Sequence, residues 1–452
     1  MSPLADIVVL GGGPAAVATA CRLRRIGHTV QLIGLARGAA VEGLSWRTLE
    51  LLHASGLNEA AESASGAGAR SGTWAGTAVP QSTEHVLDRS VFGAALLRDA
   101  HNCGVPVRAE RVVRVAAAAG RWRVQTASAT VDCDVVVDAR GRRVQRIRER
   151  GPGLVAVGQR LRLGASSGVF TRVHALVHGW CWIASDGRGL GWLQSTVSSR
   201  DARLRDGLER HMAECLAAVS ARNAELGAAV AVGVPVARAS SATWAARSAQ
   251  PGFLAIGDAQ VAIDPLCGHG IYEALRAAEL AGAAVHSLLE GVEWPLVERF
   301  LAERVASLWR RRNAAAAEFY GRQAQFTPSE FWRASARRYE TLSAAGAAQT
   351  PCTPGVERRP VLNGNAIEER AVVVTEQFPR GVWQVGRVDV VRLLELAGRS
   401  SRLDVRDLAQ RLDRPVAAVS GALKWLQTAG VLGEEALSPR TPGGELTVSV
   451  SW

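Results

Sequence analysis

The first 33 residues constrain the fold more than any other part of the sequence, because they follow the order strand, glycine loop, helix, strand. The apolar run 7–10 precedes the loop Gly11-Gly12-Gly13-Pro14-Ala15-Ala16, and an alanine-rich helical pattern then extends to Arg25. Residues 28–33 predict a second strand. The loop has the spacing GxGxxA, an accepted form of the dinucleotide-binding fingerprint. We therefore predict a nucleotide-binding α/β domain that begins at the first strand.

Single positions of this loop have separate predicted roles. Gly11 permits the tight turn, Gly13 lets the backbone approach a pyrophosphate, and Ala16 is small enough for the helix to pack on the strand. The helix N-terminus presents N–H groups and a positive dipole end to the phosphates. Gly34 stands where an acidic residue would bind the ribose, so Arg37 is predicted to contact the adenosine part instead. The predicted cofactor residues here are Gly11, Gly13, Pro14, Ala15, Ala16 and Arg37.

A second glycine loop near the middle of the chain predicts FAD rather than NAD. An apolar strand ends in Gly257-Asp258, and the loop 264–270 then opens another alanine-rich helix. Asp258 can accept a hydrogen bond from the ribityl chain of a flavin. Backbone N–H groups at 268–270 can face the N1–C2=O edge of the flavin, where negative charge collects on reduction. The predicted cofactor residues here are Gly257, Asp258, Pro265, Gly268 and Gly270.

Together with two further segments, these loops resemble the FAD-dependent monooxygenase superfamily, which includes the aromatic hydroxylases and the tryptophan halogenases. The segments are 87–100, which contains Asp88-Arg89 and Phe92, and 135–142, a strand that runs into Asp138. The resemblance implies an FAD-binding Rossmann-like domain of the glutathione-reductase type, with Arg89 near the flavin nucleotide. Gly93 and Arg140 depart from the usual residues of these segments.

Residues 150–245 have a different character and predict an inserted β-sheet substrate domain. Within it, Trp180 and Trp182 match a tryptophan-containing segment of the halogenases, although Ala184 and Ser185 replace the expected Ile and Pro. The alternative is that the two indoles fill the core from one face of a strand. The predicted FAD domain comprises 1–149 and 246–290.

The resemblance implies that halogenation needs a lysine near the flavin, and Lys424 is the only lysine of the chain. The remaining chemistries are hydroxylation of an aromatic ring and a plain redox role. His269 and Asp264 are the candidate catalytic residues, each with a structural alternative; for His269 this is capping of the next helix. No second glycine fingerprint is present. This is consistent with NAD(P)H as a transient electron donor, and equally with a supply of reduced flavin.

The C-terminal third predicts a helical segment over 291–343, whose aromatics at helical spacing indicate core, and a linker over 344–366. A winged helix-turn-helix-like domain over 367–438 and a tail over 439–452 follow. The strand-strand-three-helix order also resembles the small peptide-recognition domains attached to peptide-modifying enzymes. Peptide docking, structural packing and DNA binding remain open for this domain. The third helix carries Lys424 as its one basic residue, a poor phosphate footprint, so nucleic acid is not the expected partner.

Composition sets outer limits on these interpretations. The chain has 452 residues and a formal net charge of +11, and its basic residues, arginines but for one, are spread along the chain without a basic arm. The seven cysteines form no CxxC pair, which favours a reducing compartment and predicts no metal site. The absence of a signal-like N-terminus or a long apolar run predicts a soluble cytoplasmic protein without membrane partners.

From these features we predict an FAD-dependent monooxygenase that hydroxylates an indole or phenol ring. The missing lysine and the C-terminal domain suggest, within the superfamily, the flavoproteins that oxidise a tryptophan of a partner protein during tryptophylquinone cofactor maturation. The first alternative is hydroxylation of a small aromatic metabolite. The second, of a different class, is a flavin-linked regulator that binds DNA.

Overall fold

The computed structural model describes residues 6–36, 38, 40–144, 146–164, 168–223, 226–246, 249–344, 355–398 and 404–432. Arg37 and the predicted tail 439–452 lie outside these ranges. The α-helices, in chain order, are α1 (Pro14–Arg25), α2 (Trp46–Ala54), α3 (Asn58–Glu62), α4 (Arg89–Asn102), α5 (Leu208–Ser220), α6 (Gly270–Leu289), α7 (Trp294–Phe326), α8 (Glu330–Ala344), α9 (Val390–Gly398), α10 (Val405–Leu412) and α11 (Val416–Thr428).

The strands, in the same order, are β1 (Ile7–Leu10), β2 (Val30–Ile33), β3 (Val41–Leu44), β4 (Gly68–Trp74), β5 (Thr77–Ala78), β6 (Ser82–Asp88), β7 (Val107–Arg108), β8 (Val112–Ala118), β9 (Arg121–Thr126), β10 (Thr130–Cys133), β11 (Val135–Asp138), β12 (Ile147–Arg150), β13 (Leu154–Arg162), β14 (Val169–Leu176), β15 (Gly179–Asp186), β16 (Leu190–Ser198), β17 (Val230–Ala239), β18 (Thr243–Ala245), β19 (Ala249–Gln250), β20 (Phe253–Ala255), β21 (Val261–Ala262), β22 (Gly355–Asn363), β23 (Ala366–Val374), β24 (Gln384–Val385) and β25 (Val388–Asp389).

A six-stranded sheet in the order β19-β20-β11-β1-β2-β7 forms the nucleotide-binding part of the fold. Strand β1 pairs in parallel with β2 on one side and β11 on the other, and β11 pairs in parallel with β20. All four residues of β1 are buried, as expected for a central parallel strand covered on both faces. The sequence prediction is confirmed here: the segment around 253 returns to this sheet beside β11.

A nine-stranded sheet in the order β17-β13-β16-β15-β14-β4-β6-β3, with β5 beside β4, carries the strands predicted for substrate binding. Strands β13 to β16 lie where the sequence predicts strands. However, β3, β4 and β6 come from residues 41–88, within the predicted FAD domain. The predicted boundary at residue 149 is therefore wrong as a boundary of the sheet, because hydrogen-bonded strands join both sides of it.

Two compact units divide the chain: one comprises 1–286 and 304–345, the other 287–303 and 346–452. In the first unit, α7 and α8 supply a large aromatic core that includes Tyr320, Trp332 and Tyr339. The helical character predicted for 291–343 is thus confirmed. Smaller antiparallel sheets, β10-β9-β8 and β12-β18-β21, complete this unit among the described residues.

The second unit contains the antiparallel pairs β22-β23 and β24-β25 and the helices α9 to α11, which pack in a shared apolar core. The predicted linker 344–366 needs correction, since residues 355–363 form β22 and pair along their whole length with β23. The three predicted helices are present. The winged-helix assignment of 367–438 stays a prediction. Lys424 is exposed on α11.

None of the helices in the described residues is long and apolar enough to cross a membrane.

Candidate active site

The glycine loop after β1 is packed against the backbone that follows β2. Gly11 has a φ of +122° and donates its N–H to the carbonyl of Ile33 at 2.8 Å. A Cβ atom on Gly34 would lie 2.3 Å from the carbonyl carbon of Gly11. The acidic side chain expected at position 34 is therefore absent for a steric reason, since no side chain fits between these two segments.

The loop delivers the N-terminus of α1 to an open space. Gly13 occupies the N-cap position, no side chain caps the helix there, and Pro14 is the first helical residue. A Cβ atom on Gly13 would meet nothing within 4 Å. Uncapped N–H groups beside open space form the kind of site that binds a phosphate group.

This N-terminus borders a cavity of about 310 Å³ that also reaches the nine-stranded sheet and the second glycine loop. The predicted residues that line it are Gly13, Pro14, Ala15, Arg89, Asp258, Asp264, Pro265, Gly268 and Gly270. Gly11, Ala16, Gly257 and His269 are not on its wall. Of these, Gly257 lies directly behind it, because a Cβ atom there would be 3.0 Å from Cβ of Ala15. One cavity thus brings together most of the residues that the sequence singles out.

Arg89, at the start of α4, has a cationic atom that the described residues leave without a partner. Its side chain is largely buried, and its Nε lies 3.3 Å from Oε1 of Glu42. Its guanidinium also lies over the ring of Phe92, 5.6 Å from the centroid. Buried Nη1 has no hydrogen-bond partner in the described part of the chain. A buried unpaired donor is costly, so this atom at the cavity wall fits an anionic ligand such as a nucleotide phosphate.

The second glycine loop opens towards the same cavity. Gly268 adopts a left-handed conformation with a φ of +63°, and a Cβ atom on either Gly268 or Gly270 would meet nothing within 4 Å. The 20-residue helix α6 begins at Gly270. The open space in front of these glycines fits the edge of a planar ring that approaches the backbone.

His269 lies between those glycines but does not line the cavity. Its Nδ1 bonds with the carbonyl of Cys267, and its own carbonyl accepts the N–H of Glu273 at 2.9 Å, the first hydrogen bond of α6. Although His269 is exposed, surrounding protein partly desolvates the ring and lowers its pKa, and Arg312 acts in the same direction. This geometry favours the helix-capping alternative for His269.

Asp258 and Arg142 form one wall of the cavity. The Arg142 guanidinium lies 3.3 Å from Oδ2 of Asp258 and donates to the carbonyls of Ser241 and Ile263 at 2.6 and 3.2 Å. Arg142 thereby ties the strand ends on both sides of Asp258 together. The sequence analysis does not select Arg142, because its partners are spread over positions that are distant in sequence.

Asp264 is a buried carboxyl group at the cavity wall with donors on both oxygens. Its Oδ1 accepts the N–H of Leu266 at 2.8 Å, and Oδ2 accepts the hydroxyl groups of Tyr320, at 3.3 Å, and Tyr339. Tyr320 in turn accepts the indole N–H of Trp180 at 3.2 Å. Burial raises the pKa of Asp264 above its ordinary value, partly offset by the hydrogen bonds from Tyr339 and Leu266.

The tyrosines of this network are functional candidates that sequence reasoning misses. They lie on α7 and α8, where aromatics at helical spacing indicate core. That interpretation is correct for their rings, which are fully buried. No local pattern around either tyrosine reveals that its hydroxyl reaches an aspartate 56 or 75 residues away.

The nine-stranded sheet supplies the aromatic side of the cavity. Trp180 and Trp182 both line it from β15, and Gln194 lines it from the neighbouring strand β16. Trp180 is buried whereas Trp182 is half-buried. Trp180 also belongs to the aromatic core, so the core and site interpretations of this residue both apply.

The donor set suits an organic cofactor better than a metal ion. Among the described residues, no group of three or more His, Cys, Asp or Glu side chains could hold a metal. By contrast, the uncapped start of α1, the unpaired donor of Arg89 and the two open glycines all face one cavity. These features fit FAD, with its phosphates at α1 and its ring at the second loop.

Comparisons with known proteins are consistent with this site. No protein-family model and no curated protein sequence matches the chain significantly. Among solved structures, the peptidyl tryptophan dihydroxylase QhpG, described as essential for tryptophylquinone cofactor biogenesis, is 31% identical, with a TM-score of 0.78 over 95% of this chain and 100% of its own.

Two flavin-dependent halogenases have the same fold at lower identity. CmlS is 18% identical with a TM-score of 0.72, covering 99% of this chain and 100% of its own. The myxobacterial chondrochloren halogenase CndH is 21% identical with a TM-score of 0.62, covering 76% of this chain and 90% of its own.

Proposed function

Since the chain belongs to the FAD-dependent monooxygenase and halogenase superfamily and is a flavoprotein oxidoreductase, we propose that it hydroxylates an aromatic ring. We further propose that the ring is the indole of a tryptophan within a polypeptide, modified during maturation of a quinone cofactor. The observation that carries this proposal is the 31% identity, over nearly the whole chain, to an enzyme named as a peptidyl tryptophan dihydroxylase.

The residue content of the cavity favours hydroxylation over halogenation. Halogenases of the superfamily need a lysine near the flavin, as the sequence resemblance implies. The cations that line this cavity are arginines, and residues 1–423 contain no lysine at all. A guanidinium remains protonated and is a poor nucleophile, so no side chain of this wall can carry an activated halogen.

The proposed cofactor contacts follow from the cavity wall. The N-terminus of α1 and Nη1 of Arg89 would bind the pyrophosphate, and Asp258 would accept a hydrogen bond from the ribityl chain. Backbone N–H groups of the loop at Gly268 and Gly270 would face the ring edge. When bound, FAD supplies the redox chemistry and the activation of oxygen.

On the substrate side, the chain positions the ring and excludes water. Trp180 and Trp182 offer aromatic surfaces against which an indole can stack. We propose that Asp264, rather than His269, is the acid–base group. Its Oδ2 would accept the proton that leaves the ring carbon when that carbon is hydroxylated, while Tyr320 and Tyr339 hold the carboxyl group in place.

The test compares aromatic substrates on the purified protein. We expect a yellow protein whose NAD(P)H or reduced-flavin oxidation is stimulated by a tryptophan-containing polypeptide, with products heavier by one or two oxygen atoms in mass spectrometry. A protein that stays colourless with added FAD would contradict the flavoenzyme assignment.

The same assay separates the two aromatic substrate classes. Free tryptophan, indole and simple phenols serve as the small-molecule arm. Faster oxidation of one of these than of every polypeptide tested would replace the proposed substrate with a small aromatic metabolite. Retention of a specific DNA sequence without any ring oxidation would favour the regulator alternative.

A further inference from the structure

Strand β17 exposes a stripe of valines on the sheet that forms the aromatic wall of the cavity. Nine of its ten residues are exposed, and its valines Val230, Val232, Val234 and Val236 have 50, 43, 76 and 39% of their surface accessible. The strand is at the end of the strand order, so no described strand pairs with its outer edge. Such an apolar edge is a hazard for a protein unless something covers it.

The stripe shares one face of the sheet with the cavity wall. Directly opposed residues of antiparallel strands point to the same face. Registers across the sheet place Val236 opposite Gly158, Gly158 opposite Gln194, and Gln194 opposite Trp182. Gln194 and Trp182 line the cavity. Because neighbouring strands lie about 4.8 Å apart, β17 runs roughly 10 Å from the strand that carries Gln194.

Features of β17 itself disfavour a second copy of the chain as the occupant. Its pairing with β13 shifts register between positions 158 and 160, and the bulged stretch contains Gly233, with a φ of +70°, and Pro235. A bulge and a proline interrupt a continuous ladder, and they are common means of preventing edge-to-edge pairing. The net charge of +11 adds repulsion between copies.

Charge beside the stripe indicates what kind of segment would fit. Arg162 lies opposite Val230 and is exposed, and no described residue pairs with its guanidinium. Arg160, opposite Val232, is different, because it bonds to Asp88 at 2.6 Å. The surface is therefore apolar along the strand and cationic at the end that carries Val230, which is complementary to an apolar segment ending in acidic residues.

We propose that the valine stripe of β17 binds an extended, apolar, acid-ended segment of the polypeptide substrate while the reacting ring lies in the cavity. The inference rests on the proposed function in taking a polypeptide as substrate. An extended chain advances about 3.3 Å per residue, so roughly three residues separate a ring in the cavity from a segment on the stripe. Contact is made through the valine side chains, since the bulge prevents a continuous ladder.

The experiment measures binding of defined peptides to the full-length protein by fluorescence anisotropy. The probe is a fluorescein-labelled peptide of alternating valine and threonine with two glutamates at one end, and its counterpart ends in two arginines. We expect the triple substitution V232S/V234S/V236S to raise the Kd of the glutamate-ended peptide at least tenfold. Val113→Ser is the matched control, because Val113 is an exposed strand valine, 65% accessible, in another sheet.

Reversal of the charge gives an independent arm. Arg162→Glu should weaken binding of the glutamate-ended peptide severalfold and strengthen that of the arginine-ended one. The inference is overturned if neither peptide binds the unmodified protein, or if the triple variant and the Val113 control bind equally well. It is also overturned if sedimentation shows a dimer that the triple substitution dissociates.

FAD content and oxidation of free indole are measured on the same samples. Because β17 lies outside the proposed cofactor and ring contacts, both should be unchanged in every β17 variant. Loss of peptide binding with intact flavin chemistry would support the docking surface. Peptide binding by a protein that oxidises no ring would leave the surface standing and refute the proposed function.

Discussion

At the scale of single residues, the site is defined by polar atoms whose burial demands a partner. Nη1 of Arg89 lacks a described partner, whereas Oδ2 of Asp264 has two tyrosine donors. The first condition points to a ligand and the second to a preorganised carboxyl group. Each leads to a measurement in which one side chain is changed.

Arg89→Ala should weaken FAD binding by about 10- to 100-fold, because a charge-assisted hydrogen bond contributes about 1.5–3 kcal/mol. Fluorescence titration of the apoprotein with FAD measures the change in Kd. Arg98→Ala is the control on the same helix, since Arg98 is exposed and pairs with Glu59 at 2.9 Å. Equal FAD affinity of the two variants would contradict the proposed phosphate contact.

Asp264→Asn should remove a pH dependence of stability. The pKa of Asp264 is raised in the folded protein, so the folded state retains the proton longer than the unfolded state. The free energy of unfolding should therefore fall as the pH rises from the ordinary aspartate range through the raised pKa. Urea unfolding at a series of pH values should show this fall in the unmodified protein and a flatter profile in Asp264→Asn.

Asp134→Asn provides the matched control for that series. Asp134 is an exposed carboxyl group paired with Arg121 at 2.6 Å, far less desolvated than Asp264. Its replacement should leave the fall in stability between these pH values in place. If Asp264→Asn has the same profile as the unmodified protein, the buried carboxyl group is not the origin of the effect.

At the scale of elements, the two glycine loops show how much of the site is readable from sequence. Both are placed correctly because phosphate and ring approach require small residues at fixed spacing beside a helix start. The hydroxyl contacts of the tyrosines on α7 and α8 escape prediction, since they depend on helix packing. The strand at 355–363 resembles a linker in sequence because Pro360 and the nearby Gly364 suggest a loop.

Gly34 and Gly13 should respond differently to the same small substitution. Gly34→Ala should destabilise the fold by roughly 1–3 kcal/mol, because its Cβ would overlap the backbone of Gly11. Gly13→Ala should leave stability nearly unchanged, since its Cβ meets nothing within 4 Å, but should weaken FAD binding by filling the phosphate space. Thermal unfolding and FAD titration separate the two effects.

The opposite assignment would count against this picture of the loop. A stable Gly34→Ala protein with normal FAD affinity would show that the two loop segments can move apart. Normal FAD binding by Gly13→Ala would show that the phosphates do not approach the N-terminus of α1 as proposed.

At the scale of the whole molecule, the near absence of lysine determines which reactions the chain can support. Of its lysines and arginines all but one are arginines, and the exception, Lys424, lies in the second unit. With bromide or chloride present, we expect hydroxylated products only, because no lysine in 1–423 can carry the halogen. Mass spectrometry distinguishes the isotope pattern of bromine, and brominated product at more than trace level would refute the hydroxylase proposal.

The exposed position of Lys424 on α11 has a practical consequence for attaching the protein to surfaces and labels. Reagents that react with primary amines modify lysine and leave guanidinium groups intact. The side chains of this chain therefore offer such reagents one attachment point, remote in sequence from every residue of the cavity wall. A sensor chip or fluorophore coupled through that side chain would hold the molecules in one orientation without chemical damage to the site under study.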